Sequence, residues 1–85
     1  MVSYSIKIKE SAAKELRRLP PEVRRRLVNA IDRLGDEPLA GSALKGEFSG
    51  LRRLRVGEYR IIYKALQPEL TVLVVRVRQR QSAYR

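Results

Sequence analysis

Apolar and polar positions alternate at the start of the chain, Tyr4, Ile6 and Ile8 against Ser5, Lys7 and Lys9. A period of two predicts a strand with one wet face. The period then lengthens. Ser11 offers a helix N-cap, and Ala12, Leu16 and Leu19 fall on one helical face. Pro20-Pro21 ends that helix and supplies Pro21 as the first residue of the next. Val23, Leu27, Ala30, Ile31 and Leu34 follow the i, i+4, i+7, i+8, i+11 pattern of an amphipathic helix, with Gly35 as its C-terminal cap. From Gly35 to Gly50 no period is sustained, which predicts a long loop pinned by Leu39, Leu44 and Phe48.

Alternation returns at Leu51. It places Leu54 and Val56 on one side of a strand and Arg53 and Arg55 on the other. Gly57-Glu58 is a two-residue hairpin connection, with glycine taking backbone angles that other residues avoid. Counting outward from that turn pairs Val56 with Tyr59, Arg55 with Arg60 and Leu54 with Ile61. Gln67-Pro68-Glu69 makes a second turn into the β-branched run Leu70 to Arg78. Pairing Leu66 with Leu70 sets Arg60 opposite Arg76. On this register Leu54, Val56, Tyr59, Ile61, Tyr63, Leu73, Val75 and Val77 form a core face, and Arg55, Arg60 and Arg76 cross the other face with Arg53 and Arg78 beside them. The fold class expected is α+β in the order β-α-α-β-β-β, an antiparallel sheet with an N-terminal helical hairpin packed on one face, in a single domain over residues 1–85.

Charge sharpens this picture. The 85 residues carry 19 Lys and Arg against 9 Asp and Glu, a net charge of +10. Between Arg52 and Arg85 there are nine basic residues against Glu58 and Glu69, so the excess is concentrated where the strands are. Such a body is attracted to phosphate backbones, an anionic membrane or an acidic protein partner. Two arginines directly opposite each other on a sheet repel by a few tenths of a kcal/mol or more, and a polyanion laid between them reverses the sign. On the second helix Arg24, Arg25, Arg26 and Arg33 fit a solvated face as well as a nucleic-acid contact. The chain has no cysteine and no histidine, which removes disulfides, the thiolate nucleophile, the commonest metal ligands and the commonest neutral-pH base. No cofactor or metal is expected. No apolar run approaches the roughly 20 residues of a membrane span, and the expected setting is cytoplasmic.

The run GLRRLRVGEYRIIY, the helical pair around LPPEVRRRL, the LKG loop and the ending VVRVRQRQSAYR together resemble the RelE/ParE superfamily of toxin–antitoxin toxins, RelE branch. The resemblance covers nearly the whole chain. It implies the toxin component of a type II toxin–antitoxin system, a ribosome-dependent messenger RNA endonuclease held inactive by an acidic antitoxin. Its partners would be that antitoxin, the ribosome and messenger RNA, with no membrane, and homo-oligomers only through the antitoxin complex. Carried over by position, the resemblance implies Arg53, Arg60, Arg80 and Tyr84 as catalytic residues and Arg55 as a phosphate ligand; charge and register add Arg52, Arg76, Arg78, Lys45 and Arg85 as candidate phosphate ligands.

The implied chemistry is metal-independent attack by the RNA's own 2′-hydroxyl. That oxygen must lose its proton, the phosphorane's charge must be stabilised and the leaving 5′-oxygen must gain a proton. Arginines supply the second requirement through fixed donors on phosphate oxygens. Tyr84, a phenol with an ordinary pKa near 10, is the implied base, with Arg80 and Arg85 beside it favouring the phenolate. Arg80 is the implied acid or charge stabiliser. Some relatives have lysines where Leu51 and Arg53 stand, and many have histidine or lysine in place of Gln79 and glycine in place of Arg78. These departures bear on proton transfer and leave RNA binding intact. Two alternatives share the fold: a ParE-like inhibitor of DNA gyrase, and a noncatalytic ribosome or RNA binder that stops translation.

Overall fold

The computed structural model of the chain describes residues 3–79. Strand β1 (Ser5–Ile8) leads into helices α1 (Glu10–Arg17) and α2 (Pro21–Leu34), followed by a two-residue strand β2 (Ser42–Ala43), a 3₁₀ turn over Gly46–Phe48, and strands β3 (Arg52–Val56), β4 (Tyr59–Leu66) and β5 (Thr71–Gln79). The strand order is β1-β5-β4-β3-β2. The three C-terminal strands and β2 are antiparallel to their neighbours, but β1 runs parallel to β5, so the sheet is mixed rather than antiparallel throughout. The two intervening helices allow this, because a parallel return needs a long crossover.

Both helices bury their apolar stripes against the same sheet residues. Ala12 and Leu16 of α1 and Leu27, Ile31 and Leu34 of α2 meet Ile61, Tyr63, Val72, Val74 and Val77, all nearly inaccessible. Each of the larger aliphatic side chains contributes about 1.5–3 kcal/mol of burial. Pro21 opens α2 as expected. α1 departs from expectation at its start: Lys9 is the N-cap, with no side-chain capping bond, and Ser11 lies inside the first turn. Gly35 caps α2 at φ −60°, which any residue can adopt. Its space is tight, since a Cβ there would lie 3.0 Å from the Tyr4 carbonyl oxygen, and Tyr4 N–H donates to the Gly35 carbonyl at 2.7 Å. That bond ties the end of α2 to the start of β1.

The β3–β4 hairpin has the register read from the sequence, Val56 opposite Tyr59, Arg55 opposite Arg60 and Leu54 opposite Ile61. Gly57 takes φ 59° at the first position of its two-residue connection. The β4–β5 pairing differs. Its turn holds four residues, Gln67 to Leu70, so that Leu66 pairs with Thr71. Farther on, Tyr63 pairs with Val74 but Ile62 with Arg76, which leaves Val75 as a β-bulge without a partner of its own. Val72 and Val74 therefore enter the core, while Leu73 and Val75, expected there, are only half-buried. Past the bulge Val77 returns to the core as expected.

Leu70 closes the turn at φ 49°, a left-handed conformation that costs a residue bearing a Cβ roughly 1–2 kcal/mol. Its side chain is 42% exposed. Leu70→Asn, which tolerates this region better, is expected to stabilise the fold by roughly 0.5–1 kcal/mol, read as a higher urea midpoint at unchanged slope.

Candidate nucleic-acid interface

The face of the sheet away from the helices is built by the hairpin turn and the bulge together. The turn aligns Arg55 with Arg60, and the bulge brings Arg78, not Arg76, opposite Arg60. One row across three strands thus reads Arg55, Arg60, Arg78. The next row reads Arg53, Ile62, Arg76. Neighbouring members of a row stand about 5 Å apart between Cα atoms. Five arginines share one face at the hairpin end of the sheet, with a half-buried isoleucine between two of them. The chain order expected Arg76 in the first row; the longer turn and the bulge each move it one place.

These cations are not equivalent. Arg55 and Arg76 are exposed, Arg53 is half-buried, and Arg60 is only 6% exposed. Arg78 reaches the helix layer, where its Nε lies 3.2 Å from Oε2 of Glu15 on α1. The other oxygen of Glu15 accepts the backbone N–H of Val77 at 2.9 Å. Sequence reading passed over Glu15. Its position three residues after Ala12 and next to Leu16, at the border of the buried stripe, was the available signal.

Arg52 separates from the group. Alternation turns it to the helix side, where it donates from Nε and Nη2 to the Gly41 carbonyl, at 3.0 and 2.6 Å, and from Nη2 to the Leu39 carbonyl at 3.1 Å. Its guanidinium holds the long loop to the body. Tyr63 does the same from the core: its hydroxyl accepts Gly41 N–H at 2.9 Å and donates to the Pro38 carbonyl at 2.8 Å. A Cβ on Gly41 would lie 2.7 Å from the Arg53 carbonyl oxygen and 2.8 Å from that hydroxyl, so only glycine fits. Polar anchors thus replace two of the three expected apolar ones, for Leu39 and Phe48 are 56% and 53% exposed and Leu44 is half-buried. Lys45 is exposed on the loop beyond β2, apart from the arginine rows. Arg80, Tyr84 and Arg85 lie outside the described residues.

On the helix side a groove of about 530 Å³ runs between α2 and β3, floored by Ala30, Leu34, Leu54 and Val56 and flanked by Arg26 and Arg33. Arg26 continues it to the hairpin tip, where the guanidinium lies over Gly57. Among the described residues no three His, Cys, Asp or Glu side chains come together as metal ligands, and no helix is long and apolar enough to cross a membrane.

Two helices packed on a five-strand mixed sheet form an α+β fold of the kind seen in solved toxin–antitoxin complexes. The chain belongs to the family described as ParE toxin of type II toxin-antitoxin system, parDE, which matches residues 6–84. It is 33% identical over 84 residues to Toxin RelG of Mycobacterium tuberculosis (strain ATCC 25618 / H37Rv), covering 96% of this chain and 97% of that protein. The toxin–antitoxin complex RelBE2 from Mycobacterium tuberculosis superposes with a TM-score of 0.86 at 33% identity, over 93% of this chain and all of that one (100%). The archaeal RelE–RelB complex from Pyrococcus horikoshii OT3 gives 0.80 at 29% identity, over 92% and 96% of the two chains.

The Tyr63 hydroxyl couples the core to the loop, and its loss leaves Gly41 N–H and the Pro38 carbonyl without that partner. Tyr63→Phe is expected to cost about 1–3 kcal/mol. Hydrogen exchange should speed up first at the Gly41 amide, whereas uniform acceleration through β4 would contradict this local role.

Proposed function

We propose that this chain is a ribosome-dependent messenger RNA endonuclease of a type II toxin–antitoxin system, and that its cationic sheet face grips the RNA backbone. The observation that carries the reading is the pair of arginine rows, Arg55–Arg60–Arg78 and Arg53–Ile62–Arg76, set on one face by the turn and the bulge. Like charges so placed are mutually unfavourable in the free protein and become favourable around phosphates. Exposed Arg55 and Arg76 meet the backbone first, Arg53 and Arg60 hold the scissile phosphate, and Ile62 offers an apolar surface between them. Arg80 and Tyr84 complete the site by family position. Tyr84 takes the 2′-hydroxyl proton, the 2′-oxygen attacks phosphorus, and the 5′-oxygen leaves with a proton from Arg80 or from water, giving a 2′,3′-cyclic phosphate and a 5′-hydroxyl. Arg52 serves the loop rather than the phosphate.

The inhibitor of such a toxin is an acidic antitoxin. The groove between α2 and β3, apolar below and flanked by Arg26 and Arg33, suits an acidic amphipathic helix. The likeness to solved toxin–antitoxin complexes supports an antitoxin partner.

The test is a reconstituted translation reaction containing the purified chain, with messenger RNA 5′-ends mapped and naked RNA alongside. New ends within codons, dependent on ribosomes, are expected. Arg55→Ala and Arg76→Ala should each slow their appearance about 10–100-fold, the equivalent of one charge-assisted hydrogen bond. Intact transcripts with translation stopped would replace the endonuclease by a noncatalytic binder. Intact transcripts with translation running and DNA broken by gyrase would replace it by a ParE-like inhibitor.

A further inference from the structure

Glu15 is the acid that meets the arginine rows from the helix layer. β1 pairs with β5 only as far as Val74, so among the described residues no strand lies beside the rest of that β5 edge. Glu15 fills part of this edge with one carboxylate. Oε1 accepts the Val77 amide at 2.9 Å and Oε2 lies 3.2 Å from Arg78 Nε. The carboxylate is held at both oxygens by two successive residues of one strand. The side chain of Glu15 is 25% exposed, against 74% for Glu10, which pairs with Arg17 on the outside of the same helix. By register Arg78 belongs to the phosphate-gripping row; by its ion pair it belongs to α1.

We propose that Glu15 is a specificity-determining residue that withholds Arg78 from RNA phosphates, so the free chain engages the backbone without this member of its rows. This rests on the RNA-binding reading above. A chain of net charge +10 binds any single strand through counterion release, and each phosphate it neutralises adds about 0.7 to the slope of log K against log salt. An internal carboxylate competing for Arg78 lowers that indiscriminate affinity. It leaves Arg53, Arg55 and Arg76 for the correctly presented substrate. The Val77 amide bond keeps the competitor in place, because it fixes the carboxylate whether or not Arg78 is engaged.

Glu15→Gln separates the two functions, since the amide oxygen still accepts from Val77 while the charge that holds Arg78 is gone. Binding is measured by fluorescence anisotropy with a labelled single-stranded RNA whose 2′-hydroxyls are methylated, so that it cannot be cut, across roughly 50–200 mM salt. Glu15→Gln is expected to steepen the salt slope by about 0.7 and to bind several-fold tighter at the low-salt end. Adding Arg78→Ala to Glu15→Gln should abolish the gain. Glu10→Gln, an equal change of net charge on the same helix, should leave the slope unchanged.

An unchanged slope for Glu15→Gln, or an equal effect from Glu10→Gln, would overturn the proposal. The double variant Arg53→Ala/Arg55→Ala reads the underlying face. If it binds as the parent does, the RNA lies elsewhere and the functional reading falls together with this one. If it loses binding while Glu15→Gln stays flat, only the role of Glu15 falls.

Discussion

The bulge at Val75 decides which way the end of the chain's longest strand faces. Before it, Val72 and Val74 point into the core; after it, Val77 does. Without the extra residue, strict alternation from Val74 would send Arg76 and Arg78 into the helix layer and Val77 to the surface. Burying two guanidinium groups without partners would cost several kcal/mol each, far more than one disrupted ladder position. The pattern of valines and arginines and the bulge therefore require each other. The cationic face exists because the ladder breaks once.

The two faces of the sheet also divide the energetics between them. On the helix side ten apolar side chains among the described residues are buried, the larger ones each contributing about 1.5–3 kcal/mol. On the other side the opposed arginines cost only tenths of a kcal/mol per pair. The core wins easily, so the protein can hold repelling charges in fixed register. Glu15 joins the layers, tying α1 to the strand segment where β1 no longer protects the edge. On the proposed RNA-binding reading, a phosphate backbone would meet cations that are already placed, which lowers the ordering cost of binding.

Parts of this arrangement are written locally in the sequence. The β3–β4 register follows from one two-residue connection flanked by clean alternation, and α2 follows from its 3.6-residue stripe and Pro21. What escapes local reading depends on distant partners. The apolar run Leu73-Val74-Val75 has no polar residue to mark its parity, so neither the four-residue turn nor the bulge could be counted from it. The parallel placement of β1 is decided by the crossover, and the short β2 exists only against β3. The loop between α2 and β3 is held by Tyr63 and Arg52, whose partners are 22 to 25 and 11 to 13 residues away in the chain. Arg52 looked like its neighbours Arg53 and Arg55, and only the side of the strand it faces separates it from them. Arg60 and Arg55 were legible as a pair; that Arg78 and not Arg76 joins them was not.

The central claim is that RNA lies across the sheet face fixed by the hairpin and the bulge. The most direct measurement is residue-by-residue amide perturbation by nuclear magnetic resonance as an uncleavable single-stranded RNA is titrated into the chain. The account predicts that the shifts cluster at Arg53 to Arg55, Arg60 to Ile62 and Arg76 to Arg78, across three strands at once. Shifts concentrated instead along the exposed arginines of α2, Arg25, Arg26 and Arg33, with the sheet silent, would contradict it.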